Sequence, residues 1–271
     1  MNLPGPRQPD PLAPCGAATD APAPQPSKAP APSPPQHVAP PERTRLRLRF
    51  RKLGAMRLVG HQDLARIWER AFRRAGLPLR MSQGFHPKPR LSFPAALALG
   101  VAGLDEVLEA ELEAVLPPRE VWRRLAAELP PGLELAAVEP LPPRGRPARM
   151  ARAYYLLPLP PTRHAPAAAA VARWHAQPRP QFVQRPGEAP TDLRTALAAL
   201  EVRAGTLRFC IEAPAAPPPQ AADAADPGRS ASGPAGTPRP RDVLAVLGLE
   251  DLLAAGAYLT RTRVELAAET R

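Results

Sequence analysis

The chain has 271 residues, enough for one large domain or two small ones, and it is rich in proline and arginine, with 42 Pro and only three Lys. Its two cysteines, Cys15 and Cys210, are too few for a Cys-rich metal or cluster site within this chain, and we expect no disulfide between them. No apolar run approaches the roughly 20 residues that span a bilayer, and the N-terminus has no signal-peptide core, so we expect a cytoplasmic protein without a membrane partner.

The positive charge of the chain is concentrated in one stretch. Residues 43–90 contain 14 Lys and Arg against two acids, a net charge of +12, whereas the whole chain carries +11. A charge confined to one stretch predicts a basic patch and a polyanionic partner such as a nucleic acid. The alternative is a solvated surface on a protein whose arginine usage reflects a GC-rich genome.

The N-terminal region changes character at residue 43. Residues 1–42 contain 14 prolines and almost no large apolar side chain, so they cannot bury enough surface to offset their ordering entropy, and we expect a disordered tail. Order begins at Thr44, because Arg45–Arg51 alternates strictly between arginine and an apolar residue. This alternation predicts a half-buried strand whose apolar side chains point inward and whose arginines form an outward row.

The clearest helix of the sequence follows this strand. Apolar residues recur at helical spacing on one stripe: Leu64, Ile67, Trp68, Ala71, Phe72 and Ala75. Gly76 suits a left-handed residue after the helix, and Pro78 prevents the helix from resuming. Four arginines and two acids share the opposite face: Arg66, Arg70, Arg73, Arg74, Asp63 and Glu69. This face suits contact with a phosphate backbone, and the alternative is a solvated helix face.

The rest of the first half alternates strands with one more helix. Strands are expected at Leu77–Met81, Arg90–Leu99, 107–113 and 133–138, and a second helix at 118–126. The acids of the third strand should point outward, and Trp122 of the second helix should lie in the core. The resulting order of strand, helix, strand, strand, helix, strand over 43–140 predicts a ferredoxin-like unit.

The same order of elements recurs after a linker over 141–150. Strands are expected at 151–157, 181–184, 206–213 and 258–266, and helices at 165–175 and 241–248. Residues 193–202 are ambiguous between helix and strand, and the proline-rich stretch 214–240 predicts a disordered insertion. Together the elements predict an α+β protein of two ferredoxin-like units in tandem, the second over 151–266.

Two groups of polar residues are candidate binding residues. His61 and Asp63 lie where the chain enters the central helix, where free backbone amides favour an anion. The alternative is that Asp63 complements the helix dipole and His61 satisfies a local carbonyl. The second group lies in the Gly/Pro loop after the helix: Gln83, Gly84, Phe85, His86, Lys88 and Arg90.

The loop residues suit single-stranded nucleic acid. Cations contact phosphates, and an exposed aromatic ring such as that of Phe85 stacks on a base. The alternative for Phe85 is a plug in the core. Two His and one Asp (His61, His86 and Asp63) with no residues evident to support them are a weak case for a metal, so we expect neither a metal nor a cofactor in this chain.

Several motifs resemble the radical-SAM-linked domain family, which has no established function. They are RLRFRKLG over 47–54, GHQDL over 60–64, RAFRRAG over 70–76, SQGFHPKPRLSF over 82–93 and LGV over 99–101. The resemblance covers 44–140 closely and 150–266 by element order, with Gly60 where the family usually has Ser and His86 where Asn is common. Members are fused to, or encoded beside, radical-SAM proteins with a cobalamin-binding-type region. The resemblance therefore implies such a partner, which would supply the iron–sulfur chemistry for which this chain has no CxxxCxxC motif.

Three functions are consistent with these patterns. The first is an accessory module that presents structured RNA to a radical-SAM enzyme, an inference from the basic stretch and from fold analogy. The second is a metal-independent endoribonuclease, because tandem ferredoxin-like CRISPR-processing enzymes also use a histidine near the first helix, where His61 lies. The third is a protein–protein adaptor that docks on the radical-SAM partner without touching RNA. We expect an accessory role rather than an enzyme.

Overall fold

A computed structural model describes residues 44–185, 190–214 and 237–267 of the chain. The predicted tail over 1–42 lies outside these residues, and so does most of the predicted insertion over 214–240.

The described residues form both strands and helices. The strands are β1 Thr44–Lys52, β2 Leu91–Ser92, β3 Ala102–Leu112, β4 Leu133–Leu141, β5 Met150–Pro158, β6 Phe182–Val183, β7 Thr191–Asp192, β8 Leu197–Arg203, β9 Thr206–Glu212 and β10 Thr260–Leu266. The α-helices are α1 His61–Arg74, α2 Pro118–Ala126, α3 His164–Ala176, α4 Leu193–Ala196, α5 Pro240–Leu247 and α6 Asp251–Ala254, with 3₁₀ turns at Gly54–Leu58 and Pro161–Arg163. The predicted α+β class is confirmed.

One large mixed sheet carries most of the strands, in the order β4-β1-β3-β10-β5-β9-β8, with β2 also paired to β3. Neighbouring strands are antiparallel except for β3 and β10, whose parallel pairing joins Ala102 to Thr260 and Gly103 to Arg261. This short contact, which we call the seam, connects the strands of the first half to those of the second. The division of the chain into two domains, 43–140 and 151–266, stays a prediction, because strands of both ranges belong to the same sheet.

Two apolar clusters fill the interior, one for each half of the sheet. In the first, the apolar stripe of α1 packs on β1, and Trp68 lies edge-on to Phe50 with ring centroids 5.0 Å apart. The second gathers side chains of β5, β9, α3 and α5, including the stacked rings of Tyr155 and Phe209. The end of α1 is closed as the sequence predicts, because Gly76 has φ +65° and the amide of Leu77 donates to the carbonyl of Phe72.

The structure corrects three local expectations. Trp122 is 43% exposed, because α2 turns Val121 and Leu125, one position before and three after it, into the core. The strand expected over Arg90–Leu99 shortens to β2, since Pro89 and Pro94 lack amide donors at either side of it. The ambiguous stretch 193–202 holds both structures, a helical turn followed by strand β8.

Candidate functional site

His61 begins α1, as the sequence predicts, but it is not an open histidine. Its imidazole is half-buried and lies edge-on to Phe93, with ring centroids 5.1 Å apart. Burial lowers the pKa of His61, and the nearby ammonium of Lys52 lowers it further. The imidazole is therefore mostly neutral at pH 7. It can accept or donate a proton, but it carries no permanent positive charge.

The N-terminus of α1 has no side-chain cap. Gly60 occupies the N-cap position in an extended conformation, and it has no side chain to bond the free amides of the first turn. Asp63 lies in that turn and accepts a hydrogen bond from Arg66 at 2.9 Å. Both side chains of this pair are largely exposed, so Asp63 complements the helix dipole and one arginine at the surface.

Two of the four arginines on the outer face of α1 form ion pairs. Arg74 bonds the carboxylate of Glu128 at 2.8 Å, and Arg66 pairs with Asp63. Arg70 and Arg73 are exposed and form no ion pair with any residue of the described part of the chain. These two arginines are spaced one turn apart, so they lie on the same side of the helix.

The Gly/Pro loop is the tip of a hairpin, residues 79–90, which we call the arm. Its base continues β3 outward, because Arg80 donates its amide to the carbonyl of Glu111 and the amide of Glu111 donates to the carbonyl of Arg90. Arg80 also binds the Glu111 carboxylate at 3.2 Å, and Arg90 lies 3.8 Å from it. Two further contacts close the arm, between Met81 and Pro89 and between the hydroxyl of Ser82 and the amide of Lys88.

The tip of the arm is exposed throughout. Phe85 is 102% exposed, so the alternative in which this ring plugs the core is wrong. Gln83, His86 and Lys88 are exposed beside it, and Gly84 takes φ +134°, a conformation that favours glycine. Lys88 forms no ion pair within the described residues. The tip of the arm thus presents an exposed aromatic ring and, three positions later, an exposed lysine.

The predicted outward row of arginines on β1 is not a free basic surface. Arg45 and Arg47 both bind Glu109 of β3, at 3.4 and 2.7 Å. Glu109 is only 4% exposed, so the expected outward exposure is wrong for this acid, whereas Glu113 of the same predicted strand is exposed. The carboxylate of Glu109 also accepts a hydrogen bond from the amide of Ala148 at 3.1 Å. The segment after β4 therefore lies against this part of the sheet.

The remaining β1 arginines are paired with other neighbours in the sheet. Arg49 binds Asp105 of β3 at 2.7 Å, and Arg51 lies 3.4 Å from Glu134 of β4. Together with Arg80 and Arg90, six arginines of residues 43–90 are therefore paired with four acids from β3 and β4. Among the described cations of that stretch, Arg70, Arg73 and Lys88 are exposed on the two candidate surfaces without an ion pair.

A buried polar cluster lies at the seam, and no pattern in the sequence predicts it. Lys52, Glu106 and Arg261 are each at most 3% exposed. Arg261 donates to Glu106 at 2.9 Å and to the carbonyls of Ala95 and Ala96 at 2.8 and 3.2 Å. The ion pair therefore joins β10, β3 and the segment that follows β2.

The backbone makes room for this cluster. Gly103 is paired with Lys52 on one side and with Arg261 on the other. A Cβ atom at Gly103 would lie 2.5 Å from the Glu106 side chain, so only glycine lets that carboxylate fold back between the two cations. A register shift between Phe50 and Lys52 marks the same place in β1.

The electrostatics of the cluster follow from its burial. Burial lowers the pKa of Lys52, against the opposing attraction of Glu106, and Lys52 donates to the carbonyl of Val59 at 2.7 Å. Burial also works to lower the pKa of Arg261, but its interactions with Glu106 and Tyr155 together raise that pKa. Lys52 is the cation that acts on His61. The side chains of the cluster are buried, its ion pair joins the two strands of the seam, and its Lys52 adds to the lowering of the His61 pKa that burial causes.

No group of three His, Cys, Asp or Glu side chains in the described ranges is arranged to hold a metal ion. Within the same ranges, no helix has the length and apolar character needed to cross a membrane.

Comparison with models of known protein families assigns the chain to one family. Residues 45–217 match the model of a family described as "Uncharacterized protein conserved in bacteria (DUF2344)". The chain belongs to the DUF2344 family. No curated protein matches it. A solved structure, described as the crystal structure of an unknown protein from Galdieria sulphuraria, covers 84% of this chain and 100% of its own at 9% identity, with a TM-score of 0.23. Similarity at that level carries no argument about fold or function.

The DUF2344 match contains both surfaces that the sequence singled out, the outer face of α1 and the arm. It also contains Lys52 and Glu106 of the buried cluster, whereas Arg261 lies beyond it. The family description names neither a ligand nor a partner, so the radical-SAM association is a proposal.

Proposed function

We propose that this DUF2344 protein is an accessory module that binds RNA through the arm and the outer face of α1 and serves a radical-SAM partner. The observation that carries the RNA proposal is the exposed ring of Phe85 in the same loop as Lys88, which is exposed and forms no ion pair within the described residues. An aromatic side chain that no core residue covers is suited to stack on an unpaired base, and a neighbouring cation is suited to a phosphate.

The outer face of α1 supplies a second set of contacts. Arg70 and Arg73 form no ion pair within the described residues, so their charge is available to phosphates. Because the β1 arginines are neutralised by strand partners, affinity should depend on these few cations rather than on the whole basic stretch. A small number of phosphate contacts predicts moderate affinity and a shallow salt dependence.

The proposed partner rests on the resemblance of the motifs around α1 and the arm to the radical-SAM-linked family. This chain has two cysteines, so any iron–sulfur cluster must belong to another chain. Co-expression with a radical-SAM protein that carries a cobalamin-binding-type region should yield a complex on size-exclusion chromatography. Separate elution of the two proteins at micromolar concentration would remove the partner from the proposal.

We also propose that each half of the sheet is a ferredoxin-like unit. In the first half β1 lies between β4 and β3, with β2 on β3, and in the second half β5 lies between β10 and β9, with β8 on β9. Both orders place the first strand of a βαββαβ path between its fourth and third strands. An experimental structure in which β2 or β8 pairs elsewhere would reject this description.

The RNA proposal is tested by binding of a fluorescein-labelled stem-loop RNA over a series of salt concentrations. Phe85→Ala should weaken binding by about 1–3 kcal/mol, the value of one base stacked on an aromatic ring. Changing Arg70 and Arg73 together to Gln should lower the log–log salt slope by roughly 0.7–0.9 for each phosphate that the variant no longer neutralises. The matched control changes two exposed arginines of the second half, Arg173 and Arg203, to Gln and should leave the slope unchanged.

The same experiment separates the three functions. Equal weakening by the control pair would show that net charge alone drives binding, and no binding at low salt would leave the adaptor as the function. The purified protein is also incubated with the RNA and examined for cleavage, beside His61→Ala. We expect no cleavage. Discrete cleavage by the wild type that is abolished in His61→Ala at unchanged affinity would replace the accessory role with an endoribonuclease.

A further inference from the structure

A second exposed surface lies at the seam, away from the arm. It is a groove of about 220 Å³ between the 3₁₀ turn after β1, the turn before β3 and the turn before β10. Its floor is formed by the buried side chains of Val101 and Leu259. Three large apolar side chains form its rim and remain exposed, Leu58 at 61%, Leu99 at 57% and Tyr258 at 46%.

The walls of the groove are held by specific contacts. The amide of Gly100 donates to the carbonyl of Arg57 at 2.8 Å, which ties the turn before β3 to the 3₁₀ turn. The guanidinium of Arg57 lies 4.8 Å from the centroid of the Tyr258 ring, which ties that turn to the turn before β10. Gly100 and Gly256 take φ +84° and +94°, and both turns depend on these left-handed residues. The apolar rim is therefore a fixed feature of the fold.

The charged side chains that line the groove are all positive. Its two charged lining residues are Arg57 and Arg241, and no acid lines it among the described residues. Neither arginine forms an ion pair within the same part of the chain. Arg241 is exposed at the first turn of α5, and Arg57 lies over the Tyr258 ring without a carboxylate to neutralise it. An occupant must therefore combine apolar surface with negative charge.

The size of the groove decides between classes of occupant. Pockets for cofactors and other small molecules enclose roughly 300–1,000 Å³ and cover most of the ligand. At about 220 Å³, with three exposed apolar side chains on its rim, this groove is too small for such a molecule. It has room for one or two side chains of a polypeptide that continues across the surface.

We propose that this groove docks a short segment of a partner protein in which a large apolar residue is flanked by Asp or Glu. The apolar side chain packs between Leu58, Leu99 and Tyr258. The flanking carboxylates meet Arg57 and Arg241. This surface lies on different residues from the arm and the outer face of α1, so the proposal is independent of RNA binding.

The test uses phage-displayed random peptides selected on the full chain, with counter-selection on Leu58→Ser/Arg241→Glu. Both substituted side chains are exposed, so the double variant should keep the thermal midpoint of the wild type, which is measured first. Selected sequences should carry an aromatic or aliphatic residue flanked by acids. A labelled peptide of that consensus should bind the wild type at least about tenfold more tightly than Arg241→Glu, since like charges across an interface oppose binding.

Matched controls decide whether the groove is the site. Arg173→Glu reverses an exposed charge elsewhere in the second half and should leave the peptide affinity unchanged. Consensus peptides with Lys for the acids, or Ser for the apolar residue, should fail to bind. The proposal is overturned if selection yields no consensus above counter-selection, if the consensus is basic, or if Arg173→Glu weakens binding as much as Arg241→Glu.

A second copy of this chain is the remaining occupant to exclude. Sedimentation of the wild type should show a monomer over the concentration range of the binding assay. A dimer that dissociates in Leu58→Ser would instead assign the groove to self-association. RNA binding by the groove variants should remain at the wild-type level, so failure here is distinguishable from failure of the RNA proposal.

Discussion

Replacing Arg261 by Met should lower the free energy of unfolding by about 3–5 kcal/mol, because it leaves the carboxylate of Glu106 buried without its partner. The guanidinium makes two bonds to Glu106 and one each to the carbonyls of Ala95 and Ala96, and both members of the ion pair are at most 3% exposed. Natural domains are stable by only ~5–15 kcal/mol, so this single change removes a large share of the stability.

The measurement is equilibrium unfolding in urea at pH 7. With a slope of ~1–3 kcal/mol/M, the midpoint of Arg261→Met should fall by at least about 1 M. The control is Glu134→Gln, which breaks an ion pair with Arg51 in which both side chains are more than half exposed, and should cost less than ~1 kcal/mol.

A double variant tests the reason as well as the size of the effect. Changing both Glu106 and Arg261 to Met removes the carboxylate that Arg261→Met leaves without its guanidinium, although it also takes that carboxylate away from buried Lys52, so the double variant should cost less than the sum of the two single changes. Some destabilisation should remain, because the carbonyls of Ala95 and Ala96 lose their donor. A cost for Arg261→Met no larger than that of the Glu134 control, or a double variant whose cost equals the sum of the two single ones, would refute the reasoning.

Three further predictions concern the same end of the sheet. Gly103→Ala should cost about 1–3 kcal/mol in urea unfolding, because its Cβ would displace the Glu106 carboxylate, and an unchanged midpoint would contradict the described packing. Gly60→Ser should raise stability by a few tenths of a kcal/mol, because it adds the missing N-cap at a position with open space around the Cβ; a loss of stability would show that the N-terminus of α1 is otherwise occupied. The pKa of His61 in the folded protein lies below its usual 6.5. Between these two pKa values the unfolded chain binds a proton at His61 that the folded chain does not. The stability of the wild type relative to His61→Gln should therefore fall as the pH drops below 6.5 toward the lowered pKa. A difference between these two proteins that is independent of pH between about 7 and 5 would contradict the burial of this imidazole.

Much of the secondary structure follows from short-range patterns in the sequence. The alternation in Arg45–Arg51 is sufficient for β1, and the apolar stripe with Gly76 behind it defines α1. A proline at the start of α2 and a glycine after α5 mark the ends of those helices. These signals depend on neighbours within one or two turns, so they can be read without knowing the fold.

The surface that these elements present could not be read in the same way. Sequence alone placed a basic stretch over 43–90, but strand register decided that Glu109 lies opposite Arg47 and within reach of Arg45, so neither arginine is a free surface charge. The exposure of Phe85 likewise depends on the arm continuing past the end of β3, where no described element covers it.

What the sequence by itself determined is the type and order of most of the main strands and helices, because backbone hydrogen bonding and apolar periodicity act locally along the chain. Only the tertiary structure decided which charges remain free, because a side chain is neutralised or exposed by partners that lie far from it in sequence. The ion pair of Glu106 and Arg261, separated by 155 positions, is the clearest case. Neither residue is unusual in its own segment, and burial at the seam makes the pair important.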